Sequence, residues 1–184
     1  QLQQLLNHKT KPLGALGQME ALALRLGLIL RSTNPELLDP QILVYAADHG
    51  LAAHGVSAYP SDVTWQMVNN FLAGGAAINV LARQHSLALQ IVDCGVRHDF
   101  EAHLGLIDKK IAYGSADSLS QAAMSMLQCE QALINGAQLL DDLPGNALLL
   151  GEMGIGNTSA ASLLMARLCD LPIGDCTGAG TGLN

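Results

Sequence analysis

Ala147-Leu148-Leu149-Leu150 leads into Gly151-Glu152-Met153-Gly154-Ile155-Gly156-Asn157-Thr158-Ser159, and small and apolar residues from Thr158 to Leu168 lead out. An apolar run, a glycine-rich turn and a helical pattern, in that order, describe a strand feeding a helix at the ligand-binding edge of an α/β sheet. The glycines at 151, 154 and 156 allow the backbone to approach a ligand closely. Asn157, Thr158 and Ser159 can cap the helix, and its free N–H groups form a ready anion site. The spacing is G-x-x-G-x-G and not the dinucleotide G-x-G-x-x-G, which weakens a nicotinamide-cofactor reading. A glutamate inside such a loop repels a phosphate unless it faces another part of the ligand, such as sugar hydroxyls. The stretch therefore reads as a site for a small phosphorylated ligand. An ordinary glycine-rich strand–helix turn is the plain alternative.

Working outward, Gln41–Ala47 is a nearly unbroken apolar run that fits a buried parallel strand, closing on Asp48-His49-Gly50. Leu87–Val92 reads as the second strand, closing on Asp93-Cys94-Gly95, and Ala147–Leu150 as the third. Helical spacing covers Gln18–Leu30, Asp62–Leu72 (with Ser61 as cap) and Ala76–Gln84. Ser118 with Gln121 fits a capping box opening a long helix to about Leu140. A short strand is expected near Lys110–Ala112. Strands separated by helices imply a parallel sheet with helices on both faces. The expected division is a helical N-terminal segment, 1–40, and a parallel α/β domain, 41–184.

With 184 residues, 49% of them apolar, there is ample material for a core. A net charge of −7 without any basic cluster argues against nucleic acid. Scarce aromatics argue against a base-stacking surface for single strands. Cys94, Cys129, Cys169 and Cys176 have irregular spacing and no C-x-x-C, which fits a reduced, cytoplasmic protein better than a disulfide or zinc framework. No apolar run reaches the roughly 18 residues of a membrane span, and the first residues lack a secretory pattern. The sequence begins without Met and stops at Asn184 just after a second glycine-rich element, so the α/β domain is expected to be incomplete at its C-terminus.

Each expected strand ends in an acid: Asp48, Asp93 and Glu152. In a parallel sheet those ends share one edge and can surround one crevice, although Asp in such loops also caps backbone amides. His49 and His54 suit neither an H-E-x-x-H helix nor a Cys/His knuckle, so no metal is expected. Ser57, Ser61 and Ser159 lie outside any nucleophile elbow, and capping is the better reading for Ser61 and Ser159. Tyr59, Trp65 and Met67 lie near the first crevice loop, where they either line a flat aromatic ligand or pack in the core.

Several segments, in order, resemble the nicotinate-nucleotide–dimethylbenzimidazole phosphoribosyltransferases of cobalamin biosynthesis. They are Lys11-Pro12-Leu13-Gly14-Ala15-Leu16-Gly17, Ala47-Asp48-His49-Gly50, Gly55-Val56-Ser57-Ala58-Tyr59-Pro60, Val63-Thr64 with Gln66-Met67, and 74–82. Asp93-Cys94-Gly95-Val96, Gly151–Thr158 and Gly178-Ala179-Gly180-Thr181-Gly182-Leu183 complete the set. The resemblance implies a three-layer α/β/α domain with a Rossmann-like parallel sheet, a small helical part built with the N-terminal segment, and a homodimer. It implies transfer of phosphoribose from nicotinate mononucleotide to 5,6-dimethylbenzimidazole, giving α-ribazole 5′-phosphate and nicotinate without metal or organic cofactor. It places Glu152, Met153, Gly154, Gly156, Asn157 and Thr158 on the nucleotide's ribose and phosphate, with Gly178, Gly180 and Thr181 approaching the same substrate. Tyr59 and Met67 would face the benzimidazole, with Asp48, His49, Ser57 and Asp93 around the crevice. The family's general-base glutamate and a phosphate-contacting lysine match no residue up to Asn184, so Glu152 is a supporting residue and the base is unassigned. A non-catalytic nucleotide- or base-binding homologue is the alternative reading, and an unrelated doubly wound oxidoreductase domain is a weaker one.

Overall fold

In the computed structural model, residues 1–181 are described. Gly182 and Leu183 of the second glycine-rich stretch lie outside the described residues. The chain forms two compact units, 1–38 and 39–184. The first contains α1 (Leu2–Asn7) and α2 (Gln18–Ile29). Gly27 lets α1 sit close, because a Cβ there would meet the Leu2 side chain at 2.8 Å. The turn between the helices is tied back by Lys11, whose Nζ lies 2.7 Å from Glu20 Oε1, and by the Leu16 amide, which donates to the same oxygen at 3.1 Å. Both contacts hold the Glu20 carboxyl below its ordinary range, the lysine contributing most.

The second unit is a four-stranded parallel sheet of order β3-β2-β1-β4. Its strands are β1 (Gln41–Ala47), β2 (Ala88–Gly95), β3 (Leu106–Asp108) and β4 (Leu148–Met153). Side chains alternate across β1. Ile42, Val44 and Ala46 meet Val68 of α3 (Val63–Leu72) and Ala82 of α4 (Ala77–Gln84) on one face. Leu43 and Val92 meet Leu139 of α5 (Met126–Asp142) on the other. The chain is thus an α/β fold with helices on both faces of the sheet. α6 (Asn157–Cys169) and α7 (Ile173–Cys176) follow β4. β4 is an edge strand on which Leu149 and Leu150 are exposed.

Five local expectations are corrected. β2 continues through Asp93-Cys94-Gly95, because Asp93 still pairs with Ala46 and Gly95 with Ala47 across a register shift. β4 likewise continues through Gly151-Glu152-Met153, paired with Val44-Tyr45-Ala46, so the turn begins only at Gly154. The short strand is Leu106–Asp108, beside Ile91–Asp93, while Lys110 turns inward as an ion-pair partner. α5 starts at Met126, not near Ser118. Asp117 instead folds 117–121 into a turn, accepting from the Leu119 amide at 3.0 Å. The capping box is Ser125 with Gln128, whose side chains and amides bond reciprocally. Ser61 also makes no side-chain cap, since Asp62 occupies that position and the Ser61 carbonyl accepts from Thr64 N.

Candidate functional site

Both strands flanking β1 carry their acids to the C-terminal edge, but the three carboxylates do different work. Asp93 is 3% exposed. Its Oδ1 accepts from the Gly95 and Val96 amides at 3.0 and 2.8 Å, and its Oδ2 lies 3.3 Å from Lys110 Nζ. That lysine also donates to the Val96 and His98 carbonyls at 2.9 and 2.5 Å and stands 4.4 Å from the Tyr113 ring. Asp48, equally buried, accepts from the Arg97 amide through Oδ2 at 2.8 Å, while its Oδ1 is buried without a hydrogen-bond partner among the described residues. Both aspartates therefore brace the loop after β2. Glu152 is exposed, with one oxygen held by the Asn157 side-chain amide.

The loop after β4 is defined by close approach. A Cβ on Gly154 would meet His49 Nε2 at 2.9 Å and the Ala47 carbonyl oxygen closer still. Gly156 has φ 89°, a left-handed conformation that favours glycine, and packs on Ala52. Between them the Ile155 amide donates to Thr64 Oγ1 of α3 at 3.1 Å. Thr64 is fully buried. It pins the loop from the opposite sheet face, a role its place in the matching Val63-Thr64 pair did not reveal. The legible signal is a hydroxyl residue one helical turn before buried Val68, inside an otherwise apolar stripe.

At the start of α6 the amides are already occupied. Asn157 N donates to the Gly154 carbonyl at 3.0 Å, Thr158 N to Asn157 Oδ1 at 2.8 Å, and Ser159 N to the Gly156 carbonyl at 3.1 Å. The helix dipole favours negative charge at this end. Two distant loops meet beside this turn. Thr181 Oγ1 accepts from the Ala58 amide at 3.2 Å and lies 3.5 Å from Ser57 Oγ. A Cβ on Gly180 would lie 3.2 Å from Thr158 Oγ1. Ser57, Thr158, Gly180 and Thr181 are thus brought together. Tyr59 projects into solvent from the same loop, its amide bonded to Ser57 Oγ. Met67 is half-buried on α3, Met153 packs into the α3/α4 core, and a Cβ on Gly178 would meet no described residue within 4 Å.

A cleft of about 890 Å³ runs from Asp48 and His49 along the α5/α6 side of the sheet, past Cys94, Gln128 and Leu163. Burial lowers the His49 pKa, opposed by the nearby Glu152 and Asp48 carboxylates. Burial first and Asp93 second push the Cys94 thiol up to about 11, so it stays protonated at neutral pH. His54 Nε2 lies 2.8 Å from Asp117 Oδ2, which joins the 50–54 turn to the far wall of the cleft. Among the described residues, no three His, Cys, Asp or Glu side chains converge where a metal ion would sit.

A phosphoribosyltransferase family model matches residues 1–184. The chain belongs to that family. It is 66% identical over 183 residues to a nicotinate-nucleotide–dimethylbenzimidazole phosphoribosyltransferase of Variovorax paradoxus (strain S110), covering all of this chain and 52% of that protein. The Janthinobacterium sp. (strain Marseille) protein of the same name is 55% identical over 183 residues, with 53% of its length covered. The solved structure of CobT from Thermus thermophilus superposes with a TM-score of 0.90 at 43% identity, over 95% of this chain and 54% of that one. The chain spans about half the length of the curated relatives it matches. No helix among the described residues is long and apolar enough to cross a membrane.

Proposed function

We propose that the protein transfers the phosphoribosyl group of nicotinate mononucleotide to 5,6-dimethylbenzimidazole, releasing nicotinate and forming α-ribazole 5′-phosphate. The observation that carries this reading is the exposed Glu152 carboxylate at the sheet's C-terminal edge, beside the start of α6, in a chain so similar to proteins named for that reaction. In the reaction the acceptor nitrogen's lone pair forms the new bond to the ribose C1′. The bond from C1′ to the nicotinate nitrogen breaks, and its electron pair neutralises the pyridinium. Positive charge builds on the ribose as that bond loosens, and a carboxylate nearby stabilises it. The acceptor's second ring nitrogen then gives up its proton to a base. No residue of this chain is assigned that role.

In this reading Glu152 faces the ribose, and the 153–158 turn takes the phosphate at the start of α6, where the helix dipole favours an anion. Gly178, Gly180 and Thr181 close over the nucleotide, and Tyr59 and Met67 face the acceptor. Asp48, His49, Ser57 and Asp93 support the crevice from below. The reaction uses no organic cofactor or metal. A cytoplasmic homodimer acting on small molecules is the accompanying proposal. The test is chromatographic: the full-length protein is incubated with nicotinate mononucleotide, with and without 5,6-dimethylbenzimidazole, and nicotinate is followed. Acceptor-dependent release with formation of the ribazole phosphate supports the reading, and no release refutes it.

A further inference from the structure

We infer that Asn157 is a positioning residue for Glu152, and that its carboxamide serves that carboxylate before it serves any ligand; the inference rests on the reading of Glu152 given above. The two ends of the Asn157 side chain do different jobs. Nδ2 donates to Glu152 Oε1, and Oδ1 accepts from the Thr158 amide at 2.8 Å. The network fixes which end is which, because the reversed amide would set oxygen against carboxylate and NH2 against N–H. The platform beneath is stiff: Ile155 N is held by buried Thr64, and Asn157 N by the Gly154 carbonyl. A side chain anchored in this way fixes the rotamer of the exposed Glu152, which otherwise would sweep through solvent. In this reading Glu152 Oε2 is the oxygen presented to the substrate.

The geometry separates this role from helix capping. Asn157→Asp keeps an acceptor for Thr158 N and the same shape, but replaces the donor facing Glu152 with a second carboxylate. Wild type, Asn157→Asp, Glu152→Gln and the double variant of the full-length protein form a cycle. Misplacement of a reacting group costs on the order of a hundredfold, so Asn157→Asp is expected to lower kcat by that order with thermal stability retained. In the Glu152→Gln background the same change is expected to alter kcat by less than about twofold. Losses that multiply independently overturn the inference, as does wild-type kcat in Asn157→Asp. A readout free of turnover separates this from failure of the proposed function. The Asn157 side-chain ¹⁵N–¹H signals, recorded without substrate, must shift on Glu152→Gln. Unmoved signals overturn the inference even if the enzyme turns over, and shifted signals sustain it even if the substrates prove to be others.

Discussion

Replacing Gly154 with alanine isolates the contact on which the site is built. The added Cβ would stand 2.9 Å from His49 Nε2, and closer to the Ala47 carbonyl oxygen. The ring can rotate away, but the carbonyl belongs to β1, an interior strand, and cannot yield without disturbing the pairing of Ala47 with Gly95. Overpacking of this kind costs about 1–3 kcal/mol. With backbone as the obstacle the upper value applies, about 3 kcal/mol, or about 6–12 °C in Tm for a chain of this size. Two companions calibrate the result. Gly156→Ala must hold φ 89° with a side chain, at about 1–2 kcal/mol. Gly178→Ala meets no described residue within 4 Å and gains about 0–1 kcal/mol through the unfolded chain. Urea and thermal unfolding followed by circular dichroism give the order directly. If Gly154→Ala unfolds with the wild type, or Gly178→Ala proves the most damaging of the three, the close approach of the turn to β1 is wrong.

Thr64→Val preserves shape but strands the Ile155 amide, and urea unfolding should show a loss of about 1–3 kcal/mol. Lys110→Met leaves the buried Asp93 carboxylate without its cation and should cost about 3–5 kcal/mol by the same measurement. His49, held neutral by burial in the folded chain, binds its proton more readily once unfolded. Its contribution to stability is therefore complete above about pH 6.5 and is lost as pH falls towards the lower folded value, and His49→Gln should flatten that slope in pH-dependent unfolding. Thr181→Val should speed exchange of the Ala58 amide about fivefold to tenfold, the equivalent of about 1 kcal/mol, whereas Thr181→Ser should leave it protected.

The sequence alone was enough for the α/β class, the existence of the three principal strands, the helices on either side, and the family. Each rests on short-range physics: apolar runs, helical spacing, and glycines at turns. Gly154 and Gly156 carry their reasons locally, although the partners they approach, Ala47, His49 and Ala52, are about a hundred residues earlier in the chain.

What only tertiary structure decided was the division of labour among polar groups. Asp48, Asp93 and Glu152 look alike at three strand ends, yet two are buried and hold the loop after β2, and only Glu152 stands exposed. Lys110 reads as part of a strand, and it becomes the cation under that loop because Asp93 and two carbonyls converge on it. Thr181 reads as a ligand contact, and its hydroxyl is already bonded to the Ala58 amide. Strand ends shifted for the same reason, since β2 and β4 continue for as long as β1 offers partners. A polar side chain's role depends on which donors and acceptors the folded chain leaves unpaired beside it. Those partners come from other strands and loops, and no local spacing encodes them.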